Sequence, residues 1–244
     1  MNPPLITAII VALAAGGTLG AGAMRYVQRA APAANDANLV SDDYVSMRPE
    51  VVGLPVEDLS AEEQAGLLLM REEEKMARDV YTTLYAIWKA QTFANIAQSE
   101  QTHTEAVRDL LVKYNLTDPV TDDTVGVFVD KNLSALYLTL VERGRASLEE
   151  AFRVGAFIED MDIADLVRLT AETDNKDIAL VYSNLTRGSR NHLRAFVRQL
   201  ERLGATYTPT YISVEEYESI ISSGQETGTQ SGGGRGWGGN SNRR

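Results

Sequence analysis

The chain has 244 residues, 44% hydrophobic and 23% charged, enough for one domain with a substantial core plus extensions. Its formal charge of −11 argues against a nucleic-acid partner, which needs clustered Lys and Arg to displace counterions from phosphate, and suits a surface that attracts cations. The absence of cysteine excludes disulfides, thiolate zinc sites, cysteine-ligated iron–sulfur clusters and cysteine nucleophiles.

The first element is an uncharged run, Leu5 to Met24, close to the length that crosses a bilayer and followed by Arg25 and Arg29. Residues 1–26 read as a signal peptide or a membrane anchor. Small residues at Ala21-Gly22-Ala23 and Ala31-Pro32-Ala33 offer cleavage sites, whereas the "MNPP" before the run lacks the basic residues of a secretory signal. Either form puts the protein outside the cytoplasm, secreted or held at the membrane. Residues 27–58 read as a linker.

From Leu59 the pattern is helical. Ser60 and Glu63 have capping-box spacing, and Leu67, Met70, Ala77, Leu84 and Trp88 line one face of a first long helix, Ser60 to Ala90. A break at Gln91-Thr92 leads to a second, Phe93 to Lys113. A long connection punctuated by Pro119 and Gly126 contains a short helix around Leu133 to Arg143. Ser147 and Glu150 open a third long helix reaching Glu172, and a fourth spans Ile178 to Leu203. A last short helix starts at Ser213. Residues 223–244 read as a disordered Gly-rich tail. The expected fold is all-α: a four-helix bundle over residues 59–222, of the ferritin-like kind, with a long crossover between the second and third helices that contains the short extra helix.

Each long helix carries a ligand-type residue in its apolar row. Glu74 falls in the row of Met70, Ala77 and Tyr81, while Glu72 and Glu73 suit a solvated face. Glu100 and His103, three apart, share a face with Ile96 and Val107. Glu159 and Asp162 repeat that spacing, with Asp160 and Asp165 on other faces. His192 follows Leu185 and Ser189. A single inward Glu paired with Arg78 or Arg190, or a single hydrogen-bonded core His, would be unexceptional. Four buried carboxylates together repel one another and require positive charge. Two divalent cations balance Glu74, Glu100, Glu159 and Asp162, with His103 and His192 completing the coordination. Such a sulfur-free donor set favours iron or manganese.

The motifs resemble those of rubrerythrin-type ferritin-like proteins. "EKMARDVY", from Glu74, is similar to their Glu-x-x-Ala-Arg-x-x-Tyr; "EQTH", from Glu100, to their Glu-x-x-His; "EDMD", from Glu159, to their Glu-x-x-Glu with one side chain shortened. The fourth helix departs, having Ser189-Arg-Asn-His192 where that family has Glu-x-x-His. Either the second metal site is weaker or Asp162 takes over the missing ligand. The stretch from Leu59 to Tyr217 also resembles a bacterial and archaeal ferritin-like domain of unknown function, often found behind export signals. The resemblance implies a di-iron centre that oxidises Fe(II) or reduces peroxide or dioxygen, with Arg78, Tyr81 and Ser189 beside the ligands. Manganese is the other metal considered. The alternative is an exported, non-catalytic interaction module with one metal or none. Expected partners are metal ions and small oxidants, with no nucleic acid, and the membrane if the N-terminal segment is uncleaved; the expected assembly is a monomer or dimer.

Overall fold

In the structure, a computed structural model, residues 44–227 are described; Leu5 to Met24 and the Gly-rich end, residues 228–244, lie outside them. The described residues form seven helices and no strand: α1 Tyr44–Gly53, α2 Ala61–Trp88, α3 Gln91–Lys113, α4 Lys131–Arg145, α5 Leu148–Glu172, α6 Lys176–Arg202 and α7 Val214–Ser222. None is long and apolar enough to cross a membrane.

Local signals start the helices where the sequence puts them. Ser60 and Glu63 form a complete capping box at α2, and the hydroxyls of Ser147 and Ser213 accept the Glu150 and Glu216 amides at α5 and α7. The α2–α3 break falls two residues earlier than the sequence suggests. Lys89 takes the left-handed conformation (φ 56°), and its amide closes the last turn on the Tyr85 carbonyl. The stretch read as linker contains α1, which packs on α3 and α6.

The four long helices form a bundle in which α2 packs on α3 and α5, and α6 on α3 and α5. Their apolar residues separate into two clusters. One holds Leu67 and Met70 of α2, Val107 and Leu110 of α3, Leu166 of α5, and Val181 and Leu185 of α6. The other holds Val80 and Leu84, Phe93 and Ile96, Phe152 and Ile158, and Phe196 and Leu200 of the same four helices. The first half of α2 therefore lies beside the second half of α3, as short connections between antiparallel neighbours require. A polar layer crosses the bundle between the clusters.

Packing around α2 corrects one expectation. Glu72 and Glu73 do not face water: they are 5% and 1% exposed. The crossover runs over the outer side of α2, where Glu72 accepts the Val129 and Asp130 amides, at 2.5 and 3.0 Å. Lys75 and Asp79, both fully buried, pair at 2.6 Å and bind the Thr124 carbonyl and the Gly126 amide. Gly126 has φ 83° and lies against the Tyr137 ring, so a side chain there meets both backbone strain and a clash. At the other end, Asp160 accepts the Thr210, Tyr211 and Ile212 amides and holds the connection before α7 against α5. Glu226, in the stretch read as tail, pairs with Arg190 at 2.5 Å and Arg194 at 2.6 Å.

Candidate metal centre

The polar layer gathers one inward residue or pair from each long helix. Glu74 comes from α2, Glu100 and His103 from α3, Glu159 from α5 and His192 from α6; all are 4% exposed or less. Their donor atoms converge as two triads, Glu74–Glu100–His103 and Glu100–Glu159–His192, each within 4.8 Å. Glu100 belongs to both. One oxygen, Oε2, lies 2.7 Å from His103 Nδ1, and the other, Oε1, lies 2.9 Å from His192 Nδ1. Glu74 Oε2 is 3.4 Å from His103 Nδ1, and Glu159 Oε2 is 3.4 Å from His192 Nδ1.

These approaches are close in distance but poor as hydrogen bonds: both Nδ1 atoms and Glu74 Oε1 are buried without a hydrogen-bond partner. Donors at right angles around an ion with bonds of about 2.1 Å sit roughly 3 Å apart. The separations and the unpartnered atoms therefore fit donors that share metal ions. Neither Arg78 nor Arg190 neutralises Glu74, contrary to the simplest sequence alternative. Arg78 engages Asp79, Asp123 and Gln101, and Arg190 engages Glu226.

Neighbouring residues orient the donors. His192 Nε2 lies 3.1 Å from Ser99 Oγ; donating Nε2–H there turns the Nδ1 lone pair toward Glu100 and Glu159. The Tyr81 hydroxyl donates to Glu159 Oε1 at 2.5 Å. Gly188 lets the His103 ring lie on α6, since a Cβ there would sit 2.6 Å from Nε2. The two imidazole rings stack with centroids 5.5 Å apart. Sequence reasoning missed Ser99 and Gly188. Their small size beside Glu100 and Ser189 was the available signal.

Asp162 and Ser189 form a pair of their own. Ser189 Oγ donates to Asp162 Oδ2 at 2.5 Å, Asp162 Oδ1 has no partner, and Asp162 is in neither triad.

Protonation follows from this crowding. Burial pushes the Glu74 carboxyl up to about 8, although His103 opposes it. Burial and then Glu100 raise Glu159 to about 7. Burial disfavours charge on both imidazoles, but Glu100 with Glu159 lifts His192 to about 10, and Glu100 with Glu74 lifts His103 well above its ordinary value. Burial opposes ionisation of Glu100 too, yet His192 and His103 hold it far below the usual carboxylate range. Without metal, protons therefore occupy the donor positions.

Residues 63–224 match the family described as "Uncharacterized protein domain (DUF2202)". The uncharacterized protein MJ0754 of Methanocaldococcus jannaschii is 58% identical over 178 residues, covering 73% of this chain and 96% of that protein. A crystal structure described as hypothetical protein MJ0754 from Methanococcus jannaschii superposes with a TM-score of 0.71 at 59% identity, covering 71% of this chain and 99% of that one.

Proposed function

This chain belongs to the DUF2202 family, and from that premise we propose that it is a ferritin-like, extracytoplasmic protein holding two metal ions, iron in the first place, and acting on Fe(II), peroxide or dioxygen. The observation that carries the reading is the meeting of five donors from four helices in one buried layer, with both Nδ1 atoms unpartnered. Ferritin-like di-iron bundles take a Glu from each of two helices and a Glu-x-x-His from each of the other two. Here Glu74 and Glu159 supply the single carboxylates, Glu100 and His103 the complete pair, and Ser189 and His192 the incomplete one.

In this reading Glu74, Glu100 and His103 would hold one ion, and Glu100, Glu159 and His192 the other. Bound iron would supply electrons singly to dioxygen or peroxide. Tyr81 keeps Glu159 aimed inward, and Ser99 sets the His192 tautomer. Leu67, Met70, Val80 and Leu84, on either side of the layer along α2, keep bulk water from the donors. With Ser189 replacing a carboxylate, the layer carries one negative charge fewer than the full motif, and Asp162 is the nearest replacement.

Reconstituting the chelator-stripped protein with Fe(II) under anaerobic conditions, then adding oxygen or peroxide, tests the proposal. Uptake near two ions per chain with oxidant consumed supports it, and no uptake refutes it. Manganese fits the same donors; oxygen release from peroxide by the manganese-loaded protein would identify that chemistry. Ser189 favours the second reading, a non-catalytic module with one ion or none, which predicts uptake without turnover. Cell fractionation tests location: intact full-length protein in the cytosol counts against export.

A further inference from the structure

Two buried arginines cross the seam between α2 and α3. Arg71, Glu74 and Arg78 share one face of α2, with an arginine one helical turn to either side of the glutamate. Arg71 Nη1 donates to the Thr104 carbonyl of α3 at 3.3 Å and to the Thr104 hydroxyl, which in turn donates to the Arg71 carbonyl at 3.1 Å. Arg78 Nη1 donates to Gln101 Oε1 of α3 at 2.5 Å. Thr104 follows His103 and Gln101 follows Glu100, so the two ties enclose the Glu74–Glu100–His103 triad on both helices. Each guanidinium also grips the crossover. Arg71 Nε and Nη2 donate to Asp118 Oδ2 at 3.1 and 3.0 Å, and Arg78 Nη2 donates to Asp123 Oδ1 at 2.6 Å. Each arginine thus joins α2, α3 and the crossover at a single point.

Packing alone does not call for arginine here. An apolar side chain would fill the seam without desolvating a guanidinium, whereas a planar fork of fixed donors sets both the spacing and the register of two helices. Nor do the charges serve the donors. Asp118, Asp79 and Asp123 take up the guanidinium charges, and Glu74 Oε1 stays unpartnered. What remains is geometry. Tyr81 and Ser99 aim Glu159 and His192, but no side chain outside its triad aims Glu74, whose Oε2 lies 3.4 Å from His103 Nδ1. Its place follows from where α2 stands against α3.

We infer that Arg71 and Arg78 are positioning residues, two struts that fix α2 against α3 and so hold Glu74 opposite His103, with the crossover as their outer anchor. The affinity of the Glu74–Glu100–His103 half for a divalent cation then depends on the struts, while the Glu100–Glu159–His192 half has bracing of its own in Tyr81 and Ser99. The consequence for metal rests on the two-ion reading; the bracing of the His103 ring does not.

The chain has two histidines, so each ring gives its own nitrogen resonances in the metal-free, full-length protein. Gln101→Met with Thr104→Val cuts both side-chain ties to α3 and leaves each arginine its carboxylates. The His103 resonances should shift and broaden while those of His192 hold. In titration with Mn(II), free ion being counted by its paramagnetic resonance, one of the two ions should bind roughly tenfold more weakly and the other within about twofold of wild type. Arg71→Met with Arg78→Met removes the struts themselves and should act in the same direction; if it unfolds by circular dichroism, the first variant decides. Leu140→Ala opens a cavity in α4, away from the struts, and should leave both rings and both ions as they are. Unmoved His103 resonances in the strut variants would overturn the inference, as would equal displacement of the two rings or equal weakening of the two ions. A change at His103 as large in Leu140→Ala would overturn it too, because general loosening would then explain the effect. Absence of Mn(II) uptake by the wild type would refute the two-ion reading and leave the ring resonances to decide the struts.

Discussion

Loading the centre should expel protons, and their number can be worked from the donors. At pH 7 the metal-free layer holds a proton on His103 and on His192, most of one on Glu74, whose carboxyl is pushed to about 8, and part of one on Glu159, at about 7. Metal ions require these positions free, so two ions should release roughly three protons together. Each proton makes the apparent binding constant rise tenfold per pH unit, so the combined constant should climb on the order of a thousandfold per unit near neutrality. The folding signs agree. The pKa values of Glu74, Glu159 and His192 are all raised by folding, so their contribution to metal-free stability is full at low pH. It is lost as pH rises, through about 7 and 8 for the carboxyls and about 10 for His192. The melting temperature of the metal-free form should therefore fall with rising pH while the gap to the loaded form widens. Calorimetric titration of stripped protein in buffers of different ionisation enthalpy counts the protons directly. Release of fewer than about one proton per pair of ions would refute the reasoning, because the imidazoles would then not be ligands.

Glu100→Ala with His103→Ala should abolish metal uptake while circular dichroism stays helical, since alanine is a good helix former. Gly188→Ala favours the helix locally but pushes the His103 ring; metal affinity, measured by competition with a chelator, should fall roughly 10- to 100-fold. Unchanged affinity would show that the ring's seat on α6 is immaterial. Ser189→Ala leaves Asp162 without its hydrogen bond and should cost about 1–3 kcal/mol in chemical denaturation. Asp79→Ala strands the buried Lys75 ammonium and frees the crossover, with an expected loss of about 3–5 kcal/mol and faster proteolysis near Gly126.

The inward candidate ligands are legible because helical spacing gives a direction as well as an element. Glu74, Glu100, His103, Glu159 and His192 each interrupt an apolar row, and the rows meet in one layer. Glu72 and Glu73 escape the same logic: spacing points them away from the apolar row, yet Glu72 is covered by a segment 57 residues downstream and Glu73 lies toward Asp165 of α5. The run "REEEKMARD", Arg71 to Asp79, gave a hint. Opposite charges four apart, as in Lys75 and Asp79, can pair with each other, so such a run can lie under another segment as well as face water. The helix α1 and the Glu226 clamp were harder to see because neither has an amphipathic row of usable length. Their places depend on α3 and α6, which no local pattern encodes.

The division of the apolar core into two clusters separates the packing that folds the protein from the layer proposed to hold metal. Neither cluster contains a candidate ligand, and each is packed by all four long helices on its own side of the polar layer. A substitution in the layer therefore acts first on the hydrogen bonds and charges of the layer itself. At position 189 the serine hydroxyl is taken up within the layer by Asp162. The candidate donors of this layer can on that account be varied by substitution and compared for metal affinity, with the two apolar halves left to hold the helices together.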